Sequence, residues 1–141
     1  MTPSELKTLI DSDPTAKALF AAGIRRIRID NFRAASCLAE SIILRNVTHV
    51  TALHTEVEAG NSGRVPNVIV ENSRHLDLRL NVFGEVHLRN CNVAVISGYF
   101  QTLRIDSKCR DIVATGIAGK LVVEPGTPKS VRTDGIVIQT K

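Results

Sequence analysis

A chain of 141 residues with 43% hydrophobic and 23% charged side chains has the length of one domain and the composition of a folded one. Eighteen Lys and Arg stand against 14 Asp and Glu, and the net +4, spread along the repeat, is too small to imply a nucleic-acid partner. Four Phe, one Tyr and no Trp offer little for base or sugar stacking, and no run of about eighteen apolar residues marks a membrane helix.

The first residues read as helix. Thr2-Pro3-Ser4-Glu5 combines a cap, a proline at the first helical position and a capping-box glutamate, and Leu6, Leu9 and Ile10 then share a face. Asp13-Pro14 restarts the signal, Ala18, Leu19 and Ala22 follow, and Gly23 supplies a stop. Residues 1–23 are therefore expected to form one or two short helices, as a hairpin or a kinked pair. No basic region followed by an apolar core opens the chain, so no secretory signal is expected.

From Ile24 the period changes to two. A block of apolar, any, apolar, polar and usually Asn begins at Ile27, Ile42, Val68, Val86, Leu103, Leu121 and Ile136, with spacings of 15, 26, 18, 17, 18 and 15. Strand patterns at a near-constant period mark a solenoid, in which each unit buries its apolar face on its neighbours. Second apolar pairs recur at Val50/Ala52, Leu76/Leu78, Val93/Val95, Ile112/Ala114 and Val131/Thr133. Third positions recur at Ile24, Ala39, Val65, Phe83, Phe100 and Ala118. Three inward sites per repeat predict three faces. The expected fold is all-β: a single-stranded parallel β-helix of about seven short three-sided coils over 24–141, roughly 34 Å long at about 4.8 Å per coil. The turn formers of Gly60-Asn61-Ser62-Gly63 predict a protruding loop near 59–66.

Within the block, positions one and three point inward and positions two and four outward. Position four reads Asp30, Arg45, Glu71, Arg89, Asp106, alternating in sign, which predicts a register-setting ladder of ion pairs. Position five reads Asn31, Asn46, Asn72, Asn90; asparagine tolerates the left-handed backbone of a corner, and stacked amides bond along the rod. Position two reads Arg28, Ile43, Ile69, His87, Arg104, Val122, Val137. Its large apolar members are unusual on a solvated face and predict a cover, either the N-terminal helices or a second subunit. Ile43, Ile69, Val122, Val137 and Arg104 are thus the candidate interaction residues. The open edges of such a rod invite association, and the C-terminal end carries no evident cap.

Little in the chain points to catalysis. His49 and His75 are placed to stack but lack a third ligand, so no metal is expected. Asp77, Asp106 and Asp111 are the carboxylates nearest to a glycosidase pattern, without a facing pair, and no nucleophile triad or phosphate loop appears. Cys37, Cys91 and Cys109, odd in number and without a CxxC spacing, read as small, partly buried thiols in a reducing compartment, and the eighteen residues between the last two would let them sit on adjacent coils.

Two resemblances follow. Val68 to Arg110, with units such as Val86-His87-Leu88-Arg89-Asn90-Cys91-Asn92, is similar to the β-helix of tubulin-binding cofactor C and cyclase-associated protein C-terminal domains. In the cofactor C branch a Gln shortly before an Arg marks an arginine finger for GTP hydrolysis. Gln101-Thr102-Leu103-Arg104 resembles it with one residue more between the two, which would make Arg104 the finger of a GTPase-regulating or cytoskeleton-binding module. The run from Glu5 to Leu19 resembles the helical openings of small tailed-bacteriophage proteins, which implies a virion or host-cytoplasmic setting. The leading expectation is a non-enzymatic virion element for capsid decoration, tail or baseplate, without cofactor. It would act through protein contacts, as a homo-oligomer or within a larger assembly. A phage anti-defence protein binding a host factor is the further alternative.

Overall fold

The computed structural model of the protein describes residues 19–23, 25–37, 42–59 and 68–139. Among these the chain is all-β. Its strands are β1 (Leu19–Ala22), β2 (Arg26–Asp30), β3 (Arg33–Cys37), β4 (Ile42–Arg45), β5 (His49–Ala59), β6 (Val68–Glu71), β7 (Arg74–Arg89), β8 (Asn92–Ile105), β9 (Arg110–Val123) and β10 (Val131–Ile138). All ten join one sheet, and every pairing is parallel. Parallel neighbours cannot be joined by a hairpin, so each pairing closes a crossover of about one repeat.

The pairings sort into three columns. The first runs through Leu19, Ile42, Val68, Val86, Leu103 and Leu121. The second runs through Ile27, Val50, Leu76, Ala94, Ile112 and Val131. The third passes through Arg33, Glu56, Asn81, Tyr99, Ile117 and Val137. Each pass of the chain thus visits three columns before returning. β7 shows the alternation that fills the core: Leu76, Leu78, Leu80, Val82, Val86 and Leu88 are buried. Each such aliphatic side chain contributes about 1.5–3 kcal/mol of burial. Phe100 is the bulkiest fully enclosed one.

Several expectations are corrected by this register. The Ile27 block does not stack on Ile42; it lies in the second column beside Val50. The Ile136 block lies in the third, beside Gly116 to Ala118. All three columns share one apolar-alternating grammar, so spacing alone misassigned these two. The described first column therefore holds six strands, and its first member is Leu19–Ala22. That segment was expected to end a helix; it is strand because its backbone pairs with Ile42–Arg45. Gly23, with φ 67, donates its N–H to the Arg45 carbonyl at 2.9 Å and closes a corner, not a helix. The rest of the expected helical region (1–18) and nearly all of the expected loop (59–66) lie outside the described residues, as do Ile24, Ala39 and Val65.

The corner between the first and second columns explains a further miss. Asn72-Ser73-Arg74-His75 and Asn90-Cys91-Asn92-Val93 take left-handed φ at their first and fourth residues, 50 and 56 in one, 51 and 54 in the other. Val93 is therefore a corner residue and exposed, as is Val95, while Ala94 and Ile96 point inward. Phe83 is likewise outside, and Val82 is the core residue.

At the same corner one buried position repeats as Val47, Ser73, Cys91 and Cys109. The Val47 N–H donates to Ser73 Oγ at 3.1 Å, and the Cys91 N–H to Cys109 Sγ at 3.5 Å, one pass apart in each case. Ser73 Oγ donates in turn to the Glu71 carbonyl at 2.8 Å, and Cys91 Sγ to the Val70 carbonyl at 3.2 Å. These side chains satisfy backbone groups that a tight buried turn would otherwise strand.

Candidate functional site

The ladder residues stack where their register puts them. Glu71 lies between Arg45, at 3.6 Å, and Arg89, at 3.5 Å. Asp30 is not part of this column. It sits in the second, where its carboxylate meets Arg28 at 3.8 Å and His54 at 3.2 Å. Asp106 turns back into the corner and accepts the N–H groups of Asn90 and Lys108 at 3.0 and 3.1 Å. Exposed pairs of this kind are worth about 0–1 kcal/mol each, so they serve alignment more than stability.

Asn46, Asn72 and Asn90 hold left-handed corners with φ between 50 and 55, and Asn90 Nδ2 donates to Asn72 Oδ1 at 2.8 Å. Asn31, φ 56, makes the equivalent bend from the second column to the third, one pass before His54, φ 49.

The outer stripe of the first column contains Ile43, Ile69, His87, Arg104 and Val122 in register. Ile69 is 4% exposed yet belongs to no core cluster, and the rest are half-buried. Arg104 lies between His87 and Val122, with its Nε enclosed and without a hydrogen-bond partner. Its neighbours across a shallow groove are Arg89, Asp106 and Glu124. Arg28 and Val137 are not on this stripe: they face outward from the second and third columns.

Val137 instead ends an apolar surface that the repeat pattern had not revealed. It is 64% exposed and follows Tyr99 and Ile117 down the third column. Phe83 adjoins it, its ring centroid 5.2 Å from that of Tyr99. Earlier members of the same column are charged: Arg33 and Glu56 pair at 3.9 Å. In the second column Arg28, Thr51 and Asp77 give way to the exposed Val95 and Val113, before Arg132 returns a charge in the last pass. Among the residues whose side chains are described, the exposed large hydrophobic ones lie between Phe83 and Ile138. In the last pass the inward Val131 is only half-buried and Ile138 is exposed, where their register partners Ile112 and Ala118 are closed off.

Asp77 pairs with Arg79 at 3.6 Å, Asp106 is turned to backbone amides, and Asp111 is exposed. His49 and His75 stack with centroids 4.7 Å apart and planes 11° from parallel. No cluster of three or more His, Cys, Asp or Glu among the described residues is arranged to hold a metal ion. Comparison with protein-family models, curated proteins and solved structures gave no match.

Proposed function

We propose that the chain is a non-enzymatic assembly protein, a single-stranded parallel β-helix whose C-terminal passes dock onto a second protein subunit. The observation that carries this is the gathering of exposed apolar side chains, among those described, from Phe83 to Ile138, together with the half-closed core of the last pass. A rigid in-register stack holds such a surface without ordering cost on binding, which favours docking over an adaptable contact. An edge strand with free backbone groups beside exposed apolar side chains is an association template. β10 has this character, since it pairs with β9 alone. The phage virion setting rests on the resemblance of Glu5 to Leu19 to phage protein openings; capsid, tail and baseplate roles all fit a rod of this kind.

Light scattering tests the docking. The protein at tens of micromolar is expected to show the mass of a dimer or larger, and Val137→Lys with Ile117→Lys to return it to a folded monomer. A wild-type monomer at that concentration, or an unchanged mass in the double variant, overturns the reading.

A further inference from the structure

The basic residues look dispersed in the sequence, yet the corner between the first and second columns gathers them. Arg74, Asn92 and Arg110 are register partners on three successive passes. Lys108 lies at the same corner, and Arg25 lies two passes before Arg74, where its carbonyl accepts the His49 N–H at 3.0 Å. Exposed Asn46, Asn72 and Asn90 run beside the middle three passes of this edge. The result is a straight ridge of guanidinium, ammonium and amide donors, with successive passes about 4.8 Å apart.

The side-chain cations of this edge stand free of direct ion pairs, where several on the flat faces are paired. On the faces, Arg28, Arg33, Arg45, Arg79 and Arg89 each stand within 4 Å of a carboxylate. Among the described residues Arg25, Arg74, Lys108 and Arg110 have no such partner. Three carboxylates share the far end of the edge: Asp106 and Glu124 accept the backbone N–H groups of Asn90, Lys108 and Ser107, and Asp111 is exposed beside Arg110, so the free positive charge is concentrated toward Arg74 and Arg25. The local field reaches a neighbour: after desolvation and the interaction with His75, the positive charges of Arg26, Arg25 and Arg74 hold the His49 imidazole below its usual range.

We infer that this corner binds the phosphodiester backbone of a single-stranded nucleic acid, without reading its sequence. Arginine forks suit phosphate oxygens in paired hydrogen bonds, and amide side chains supplement them. Donors repeated at a fixed rise along a straight edge match a linear chain of anions better than one compact anion. The ring pair Phe83 and Tyr99 lies in the third column, away from this edge, and the only rings described at the corner are the mutually stacked imidazoles of His49 and His75, so recognition rests chiefly on the backbone. This surface is separate from the apolar C-terminal face and does not depend on it.

Fluorescence anisotropy with a labelled twenty-nucleotide oligothymidylate tests the inference. The expected results are binding at 50 mM salt and a log–log salt slope of about −2 to −3, for three or four phosphates contacted. Arg74→Gln with Arg110→Gln should weaken binding at least tenfold. Arg79→Gln with Lys120→Gln removes the same charge from other sites and should change it less than twofold. Circular dichroism melts establish that both double variants fold; a melt shifted in the first pair directs the comparison to Lys108→Gln with Arg25→Gln. No binding by the wild type, or equal losses in the edge and control pairs, overturns the inference. Capture of heparin with no capture of the oligonucleotide does so too.

Discussion

Asn90 donates its side-chain amide to Asn72 Oδ1 at 2.8 Å while both residues hold the left-handed backbone, φ 51 and 50. The one residue type meets two demands, a corner and a bond between neighbouring passes. Substitutions separate them. Asn90→Gly keeps the backbone free and loses the amide bond, for about 0.5–1.5 kcal/mol. Asn90→Ala loses that bond and adds about 1–2 kcal/mol for a Cβ in this conformation. Urea unfolding should rank wild type above Gly above Ala; equal losses in the two variants would show that the backbone conformation carries no cost.

Gly98 and Gly116 are register partners in the third column, with φ 129 and 115. A Cβ at 98 would collide with the Leu80 carbonyl oxygen, and one at 116 with the Gly98 carbonyl oxygen. Backbone cannot move aside as a flexible side chain does. Gly98→Ala and Gly116→Ala should each cost more than about 3 kcal/mol, through strain combined with a disrupted pairing. Gly23→Ala meets open space and suffers only from its φ of 67, so it should cost less than half as much. Thermal melts of the three variants provide the comparison, and a Gly23 loss as large as the other two would refute the close-approach argument.

Cys91 and Cys109 are buried on adjacent passes, with the Cys91 N–H on Cys109 Sγ. The hydrogen bond between the thiols and then burial push the Cys91 thiol well above the usual thiol range, so it stays protonated and poorly nucleophilic. Peptide mapping after brief iodoacetamide treatment at pH 8 should find both unmodified in the folded protein and both modified in urea. Rapid labelling of Cys91 in the folded state would contradict its enclosure.

What was legible in the sequence was the alternation, and with it the inward residues of the first column from Ile42 to Ile105. The Ile27 and Ile136 blocks were misplaced because an apolar-any-apolar strand reads alike in every column; only backbone pairing distinguishes the second from the first. Val93 was misread as core because its apolar character outweighed a corner signal that His75 and Asp111 share only through φ. The basic edge was invisible for another reason. Arg74 and Arg110 are far apart in sequence, and only their common partner Asn92 aligns them. The apolar gradient toward Val137 needed the outward register of the third column, of which the sequence had placed only the inward Phe100 and Ala118.

His87 carries the pH dependence of the first column's outer stripe. Burial first, and then the Arg89 guanidinium, hold its imidazole below the usual range, against the opposing pull of Glu85 at 3.5 Å. Arg89 Nη2 lies 3.2 Å from His87 Nδ1, a contact that suits the neutral ring, with Nδ1 accepting. The folded ring thus binds its proton less readily than the unfolded chain, whose histidines titrate near 6.5. Its contribution is fully present above that pH and is lost as pH falls below it toward the folded value. Denaturant midpoints between pH 7.5 and 5 should fall less steeply in His87→Gln than in the wild type. An unchanged slope would assign the acid loss to other groups, His49 first, since its ring is held low as well.

Ser73 tests whether the buried corner position is chosen for shape or for hydrogen bonding. Its Oγ is enclosed, accepts the Val47 N–H and donates to the Glu71 carbonyl. Ser73→Ala removes little volume but leaves the Val47 N–H without an acceptor inside the protein, at about 1–3 kcal/mol. Ser73→Cys places there the group that the chain itself uses at Cys91 and Cys109, where sulfur accepts from and donates to the same kinds of backbone groups. The cysteine variant should therefore keep more than half of the stability lost in the alanine variant, even though sulfur is the larger atom. Amide hydrogen exchange adds a local readout: the Val47 N–H should lose protection in Ser73→Ala and keep it in Ser73→Cys. Equal stability of the two variants, with Val47 protected in both, would mean that packing alone selects the corner residue and that the side-chain ladder contributes nothing to holding successive passes in register.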